Sequence, residues 1–373
     1  MQNDNKALEL IKAEGYTANS RIDAIDVIRT IAIIMVVLNH VTARFFKVAP
    51  FDSFTWFTSV VYYCFHNGTS LFFMVTGMVF LKPGHSVPIT GFLRSRFLRV
   101  LLPSIFWVIF FTFYRAWYLS DVSSAKEMLI NALNGPVYYH LWYVYALIPL
   151  YLVLPIINKL MQYSNQEIIE YILLLWFIGF SIVPAFQSII PSLELNWLIT
   201  IFGNFLGFMV AGSYFYWFKS NFQRNKIFIV YSIMFFLVIG SLYLVRFVNG
   251  KPDAFFASRN SPFMVVMSLC IFLIATQINY AKVFEKFKWI QKLVHWVADS
   301  SFSIYILHVI IIELVPKYSE LWLGYRIDGK LFGHPLIGIP LFTFFAVSVL
   351  TGFSQLFRKI PIIRNLLKVG GSS

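Results

Sequence analysis

The sequence predicts an all-α fold: a polytopic integral membrane protein with about ten transmembrane helices and both termini in the cytoplasm. Three observations lead there. Of the 373 residues, 58% are hydrophobic and 13% are charged, too little charge for the aqueous surface of a soluble domain of this size. Apolar blocks recur from about residue 27 to residue 356, so the hydrophobicity is not confined to one or two anchors. Lys and Arg concentrate in alternate connecting segments, as the positive-inside rule requires.

Runs of suitable length place spans near 27–46, 58–81, 97–119, 137–158, 168–190, 195–218, 227–248, 261–280, 299–317 and 334–356, each near the roughly 20 residues that cross a bilayer. Lipid cannot satisfy open backbone groups, so every span is expected to be helical. The chain divides into a cytoplasmic tail (1–24), a transmembrane domain (25–357) and a second cytoplasmic tail (358–373). That tail ends in Gly370-Gly371-Ser372-Ser373, which reads as a linker or tag remnant. Met1 to Ser20 hold no apolar stretch before a small-residue cleavage site, so no signal peptide is expected. Residues 121–134 mix charge with Met128, Leu129, Ile130 and Leu133 and are expected to form a short amphipathic helix at the outer surface. Pro103, Pro149, Pro155 and Pro184 are expected to kink or end helices.

With the N-terminus inside, 20 of the 30 Lys and Arg residues fall in cytoplasmic segments, which sets the orientation. Cationic loops beside anionic lipid then account for the net charge of +13. The bilayer is the expected partner, and nucleic acid is not. Cys64 and Cys270 lie inside spans, without a CxxC or metal-type neighbours, and read as small apolar fillers. No metal site is expected.

Ionisable side chains inside apolar spans are costly, which makes each a candidate for function. Arg29 and His40 share the first span. Eleven residues at 100° each return to within about 20° of one helix face, and the rise between them is about 16 Å. Arg29 is therefore expected at the cytoplasmic mouth, with His40 about half-way through the membrane or beyond. Two readings of His40 stay open: a buried histidine bonded to a neighbouring helix, or a general base in a channel from the cytoplasm. Arg94, Arg96 and Arg99 open the third span. Arg96 and Arg99 share a face and suit fork-like phosphate binding, while simple positive-inside anchoring is the plainer reading. His140, Trp142 and Tyr143 begin the fourth span, where aromatics also form interfacial belts. His66 in the second span, and Tyr305 and His308 in the ninth, are open between packing and chemistry. No GxSxG, HExxH, P-loop or GxGxxG stands in a supporting context.

Five segments then fall in a telling order. Ile25-Asp26-Val27-Ile28-Arg29-Thr30-Ile31-Ala32 is followed by His40, an arginine and a histidine separated by ten residues. Next come Leu71-Phe72-Phe73-Met74-Val75-Thr76-Gly77 and Arg96-Phe97-Leu98-Arg99-Val100-Leu101-Leu102-Pro103. Tyr139-His140-Leu141-Trp142-Tyr143 and Ser301-Phe302-Ser303-Ile304-Tyr305-Ile306-Leu307-His308 complete the set. Together, from about Arg21 to Phe357, they resemble the acyltransferase 3 family of integral membrane acyltransferases. Thr30, His66, Ser70, Thr76 and Met78 depart from the family's usual residues, which bears on the acceptor and the shape of the site.

The resemblance implies O-acylation of an extracytoplasmic or lipid-linked glycan, with cytoplasmic acyl-CoA as donor. Similarity to stand-alone O-acetyltransferases of bacterial surface polysaccharides implies acetyl-CoA and a bacterial inner membrane. No permanently bound cofactor is expected, and the oligomeric state stays open. Arg94, Arg96 and Arg99 would hold the donor phosphates, and the arm would climb past Arg29 to His40, which would deprotonate a sugar hydroxyl. Asp26, His66, His140, Trp142, Tyr305 and His308 are candidates for acceptor binding or support. Direct attack on the thioester and transient acylation of a histidine are both open. The alternative from another class is a transporter or flippase of glycan or lipid-linked precursors, which would also carry buried charge near the midplane.

Overall fold

A computed structural model describes residues 22–49, 53–84, 86–119, 124–190, 192, 195, 204–218, 222–249, 255–323 and 334–357. The expected tails therefore lie almost wholly outside the described residues, as do Asp121 and the first part of the span expected at 195–218. The described chain is all-α, with eight helical stretches long and apolar enough to cross a membrane.

The first helix, α1 (Asp23–Val48), is the hub of the bundle. Against it pack α2 (Phe54–Tyr63), α3 (Gly68–Phe80), α14 (Lys288–Leu323) and α15 (Pro335–Phe357). Between α3 and α14 the chain forms α4 (Ile89–Arg96), α5 (Leu102–Leu119), α6 (Ala125–Asn134), α7 (Trp142–Tyr163), α8 (Gln166–Phe177) and α9 (Val183–Ile189). Then follow α10 (Leu206–Trp217), α11 (Arg224–Asn249), α12 (Pro262–Thr276) and α13 (Tyr280–Lys286). Helix α6 is the amphipathic segment expected from the sequence: Leu129, Ile130 and Leu133 are exposed, and Ser124 and Glu127 close a capping box at its start.

One expected span is interrupted by a non-helical break. The run at 58–81 breaks at Cys64–Asn67 into α2 and α3, of 10 and 13 residues. Asn67 pins the break by donating through Nδ2 to the Met264 carbonyl (3.0 Å) and to Ser268 Oγ (2.8 Å), both on α12. Hydrophobicity alone cannot register such a bond. His66, within the break, lines a cavity described below.

Proline explains two other irregularities. A π turn at Phe97–Leu101 joins α4 to α5, and another at Ile178–Ile182 joins α8 to α9. Each ends two residues before a proline, Pro103 or Pro184. Proline has no N–H to return and crowds the carbonyl four residues earlier, and a widened turn relieves that conflict. Pro149 and Pro155 are carried inside α7.

Helices α1 and α14 run side by side in the same direction. Thr30 Oγ1 donates to the Val294 carbonyl (3.1 Å), and Arg29 Nη2 donates to Ser301 Oγ (2.9 Å). Helices α3 and α10 meet backbone to backbone. A Cβ on Gly77 would collide with the Met209 carbonyl, and one on Gly212 with the Met74 carbonyl. Small residues let helices approach this closely where no hydrophobic drive separates lipid from protein. Gly77→Ala is expected to destabilise the protein by about 1–3 kcal/mol or more through overpacking, read as a lowered midpoint of thermal unfolding in detergent. An unchanged midpoint would mean that the two helices separate freely.

Candidate active site

Two cavities lie along α1, and Tyr305 lines both. The first, of about 310 Å³, is bounded by Arg29, Arg96 and Arg99 together with the hydroxyls of Thr76, Tyr143, Tyr151 and Ser301. Phe72, Val75, Val79, Phe80 and Leu147 supply its apolar wall. The second, of about 480 Å³, is bounded by His40, His66, Tyr63, Tyr139, Trp142 and Arg259, with Glu313 also on its lining. The sequence spacing is thus realised: one unbroken helix gives Arg29 to one cavity and His40, three turns on, to the other.

The arginine cavity owes its shape to the π turn. Arg96 closes α4, Arg99 sits within the π turn, and both reach the same space. The Arg96 guanidinium lies over Phe80 (4.9 Å) and Phe92 (5.6 Å), beside the Tyr151 hydroxyl. Stacking on aromatic faces holds such a group in place without neutralising it. Arg94 is exposed and is not part of the lining. Opposite, Arg29 is fixed by its bond to Ser301.

The histidine cavity is backed by a cluster of three imidazoles. The His40 ring lies 4.9 Å from that of His308 and 5.3 Å from the Tyr139 ring, and His308 lies 5.4 Å from His140. His308 and His140 are fully buried and stand behind His40 rather than on the lining. Their tautomers are set by carbonyls, which only accept. His308 Nδ1 faces the carbonyls of Tyr305 (2.7 Å) and Ile304 (3.2 Å), and His140 Nε2 faces that of Ile306 (3.1 Å). Those nitrogens therefore carry the hydrogens, leaving His308 Nε2 and His140 Nδ1 as buried acceptors without a partner. A 3₁₀ turn at Tyr139–Leu141 aims His140 inward, and the Tyr305 hydroxyl donates to its carbonyl.

Of the remaining sequence candidates, Trp142 and His66 reach the second cavity. Asp26 does not. It is buried at the start of α1, 3.7 Å from His295, whose Nε2 also meets Asp23 Oδ1 at 3.2 Å. That contact ties α1 to α14 beside the arginine cavity. Sequence reasoning missed Arg259 as a site residue, because it stands just ahead of a span and counts there as one loop cation among ten. Glu313, further along the same span than Tyr305 and His308, accepts from the hydroxyls of Tyr114 (2.9 Å) and Tyr138 (2.7 Å). Among the described residues no group of three or more His, Cys, Asp and Glu side chains is disposed to hold a metal ion.

An arginine-lined cavity and a histidine-lined cavity thus share Tyr305 as a wall. The family model described as an acyltransferase domain, acyltransferase 3, matches residues 22–357. The chain belongs to the acyltransferase 3 family. This membrane acyltransferase carries the matched domain over nearly the whole of its bundle, from the start of α1 to the end of α15. Comparison with curated proteins and with solved structures returned no match.

Proposed function

We propose that the protein moves an acyl group, acetyl in the first instance, from cytoplasmic acyl-CoA to a hydroxyl of an extracytoplasmic or lipid-linked glycan, in a bacterial inner membrane. The observation that carries this reading is the pair of cavities meeting at Tyr305, arginines around one and His40 on the other. The donor is a polyanion with a long, flexible arm ending in a thioester. Its phosphates suit Arg96 and Arg99 at the mouth, with the exposed Arg94 close by in sequence. The arm suits the first cavity, where apolar walls alternate with hydroxyls. Its thioester then approaches Tyr305 and, beyond it, His40. No permanently bound cofactor enters this scheme, since acyl-CoA is the donor substrate.

In the transfer, His40 takes the proton from the sugar hydroxyl as the oxygen attacks the thioester carbonyl. The new C–O bond forms, the C–S bond breaks, and the coenzyme thiolate leaves and recovers the proton. His308 positions the base. Its Nε2 can only accept, so an N–H of His40 turned toward it leaves the other His40 nitrogen bare for substrate. His140 supports the same cluster from behind.

Purified full-length protein incubated with acetyl-CoA labelled in the acetyl group and a bacterial glycan extract tests the reading. Label is expected in glycan ester that mild alkali releases. Label retained wholly in acetyl-CoA across extracts from diverse bacteria would sink it. Orientation is checked separately, by a reporter active only in the cytoplasm and fused after Lys368; reporter silence there would put the arginine mouth on the wrong side for a cytoplasmic donor.

A further inference from the structure

Arg259 is the one Lys or Arg on the lining of the second cavity among the described residues. It lies between the short 3₁₀ turn at Phe255–Ala257 and the start of α12. Its guanidinium carbon lies over the Trp142 ring, 3.6 Å from the centroid, and 5.9 Å from that of Phe205. No carboxylate of the described residues pairs with it, and its Nε is shielded from solvent without a hydrogen-bond acceptor. Glu313, on the same lining, is engaged instead by Tyr114 and Tyr138. A cation in a membrane-embedded cavity is costly unless something compensates it. Among the described residues Arg259 meets an aromatic face and no anion.

We propose that Arg259 makes the second cavity a binding site for an acidic saccharide, pairing with a sugar carboxylate while the hydroxyl to be acylated lies against His40. The chemistry of the lining selects the class. A single guanidinium matches one carboxylate in a forked pair. A diphosphate carries more negative charge than this one cation balances. Tyr63 and Tyr139 offer aromatic surface for a pyranose ring beside the Arg259–Trp142 pair, and Asn39, Thr69 and His66 offer polar edges. At about 480 Å³ the cavity has room for such a ligand, within the usual range of about 300–1,000 Å³ for small-molecule sites.

This inference rests on the acyltransferase reading for its hydroxyl but not for its carboxylate, and the test separates the two. Equilibrium binding to the full-length protein in detergent, without donor, is measured for tritiated trisaccharides of glucuronate, galacturonate and mannuronate and for their carboxyl-reduced counterparts. At least one uronate is expected to bind about tenfold or more tighter than its reduced form, the scale of one charge-assisted contact. Arg259→Gln is expected to erase that preference, and Arg259→Lys to keep part of it, since the charge survives and the fork does not. Gel filtration reports whether each variant is folded, and the lysine variant decides if the glutamine variant is not. Absence of any uronate preference in the unaltered protein, or its persistence in Arg259→Gln, overturns the proposal. So does a fall in kcat with unchanged KM when Arg259→Gln acylates a neutral glycan, which would give the residue to the transition state instead. Uronate preference without acylation of any glycan would leave this site standing and overturn the acyltransferase assignment of substrate.

Discussion

His40→Ala is expected to lower acyl transfer by about 10²–10⁴, the usual loss when a positioned base is removed, while donor binding stays within about twofold. The separation follows from the two cavities. His40 lines the cavity away from Arg29, Arg96 and Arg99, and among the described residues it makes no hydrogen bond to the donor side. Its neighbours are rings, Tyr139 and His308, so truncation leaves no buried partner stranded on the donor side. Only the neutral imidazole accepts a proton, so turnover of the unaltered enzyme should also decline toward acid pH. His308→Ala should be milder: its ring lies 4.9 Å from that of His40, and its loss removes a neighbour while leaving the base in place. Turnover and acyl-CoA affinity measured on one preparation decide the matter. Near-normal turnover in folded His40→Ala ends the mechanism, and loss of both quantities would make His40 a structural tie between α1 and α14.

Much of this geometry was legible in the sequence, for a physical reason. An arginine and a histidine eleven residues apart on a continuous apolar helix can hardly fail to share a face, and α1 is continuous. The arginine pair at 96 and 99 also reaches one cavity, although the π turn that contains Arg99 leaves no mark in the hydrophobic pattern. What escaped notice depends on contacts between distant segments. The split of the second span rests on Asn67 reaching α12 about two hundred residues away. Arg259 becomes a site residue only because α12 brings it onto Trp142 at the head of α7. His140 and His308 were recognised by motif, yet their fixed tautomers depend on carbonyls of α14 that no periodicity reveals. Asp26 was singled out by motif as well, and its partner is His295, a residue that no sequence feature had marked.

The donor side is expected to show the second large effect: Arg96→Ala and Arg99→Ala combined should weaken acyl-CoA binding by about 10² or more. Each charge-assisted contact to a phosphate is worth roughly 1.5–3 kcal/mol, and a factor of ten corresponds to about 1.4 kcal/mol. The two arginines are not equal. Arg96 is half-buried and held by Phe80 and Phe92, so little side-chain freedom is lost when it binds. Arg99 is exposed, and water and salt screen much of its attraction. Arg96→Ala alone should therefore account for most of the loss, and the part due to Arg99 should shrink as salt rises. Arg94→Ala is the control, because that exposed side chain is absent from the lining and should change affinity by less than about threefold. Arg29→Ala differs in kind. It strands Ser301 on α14 and removes the charge beside the arm, so its cost should divide between stability and kcat rather than fall on affinity alone. Titration with acyl-CoA at two salt concentrations distinguishes these outcomes. Equal affinities for the unaltered protein and the double variant would reduce the arginines at 96 and 99 to membrane anchors, and the donor would then have to reach Tyr305 by some route other than the cavity they line.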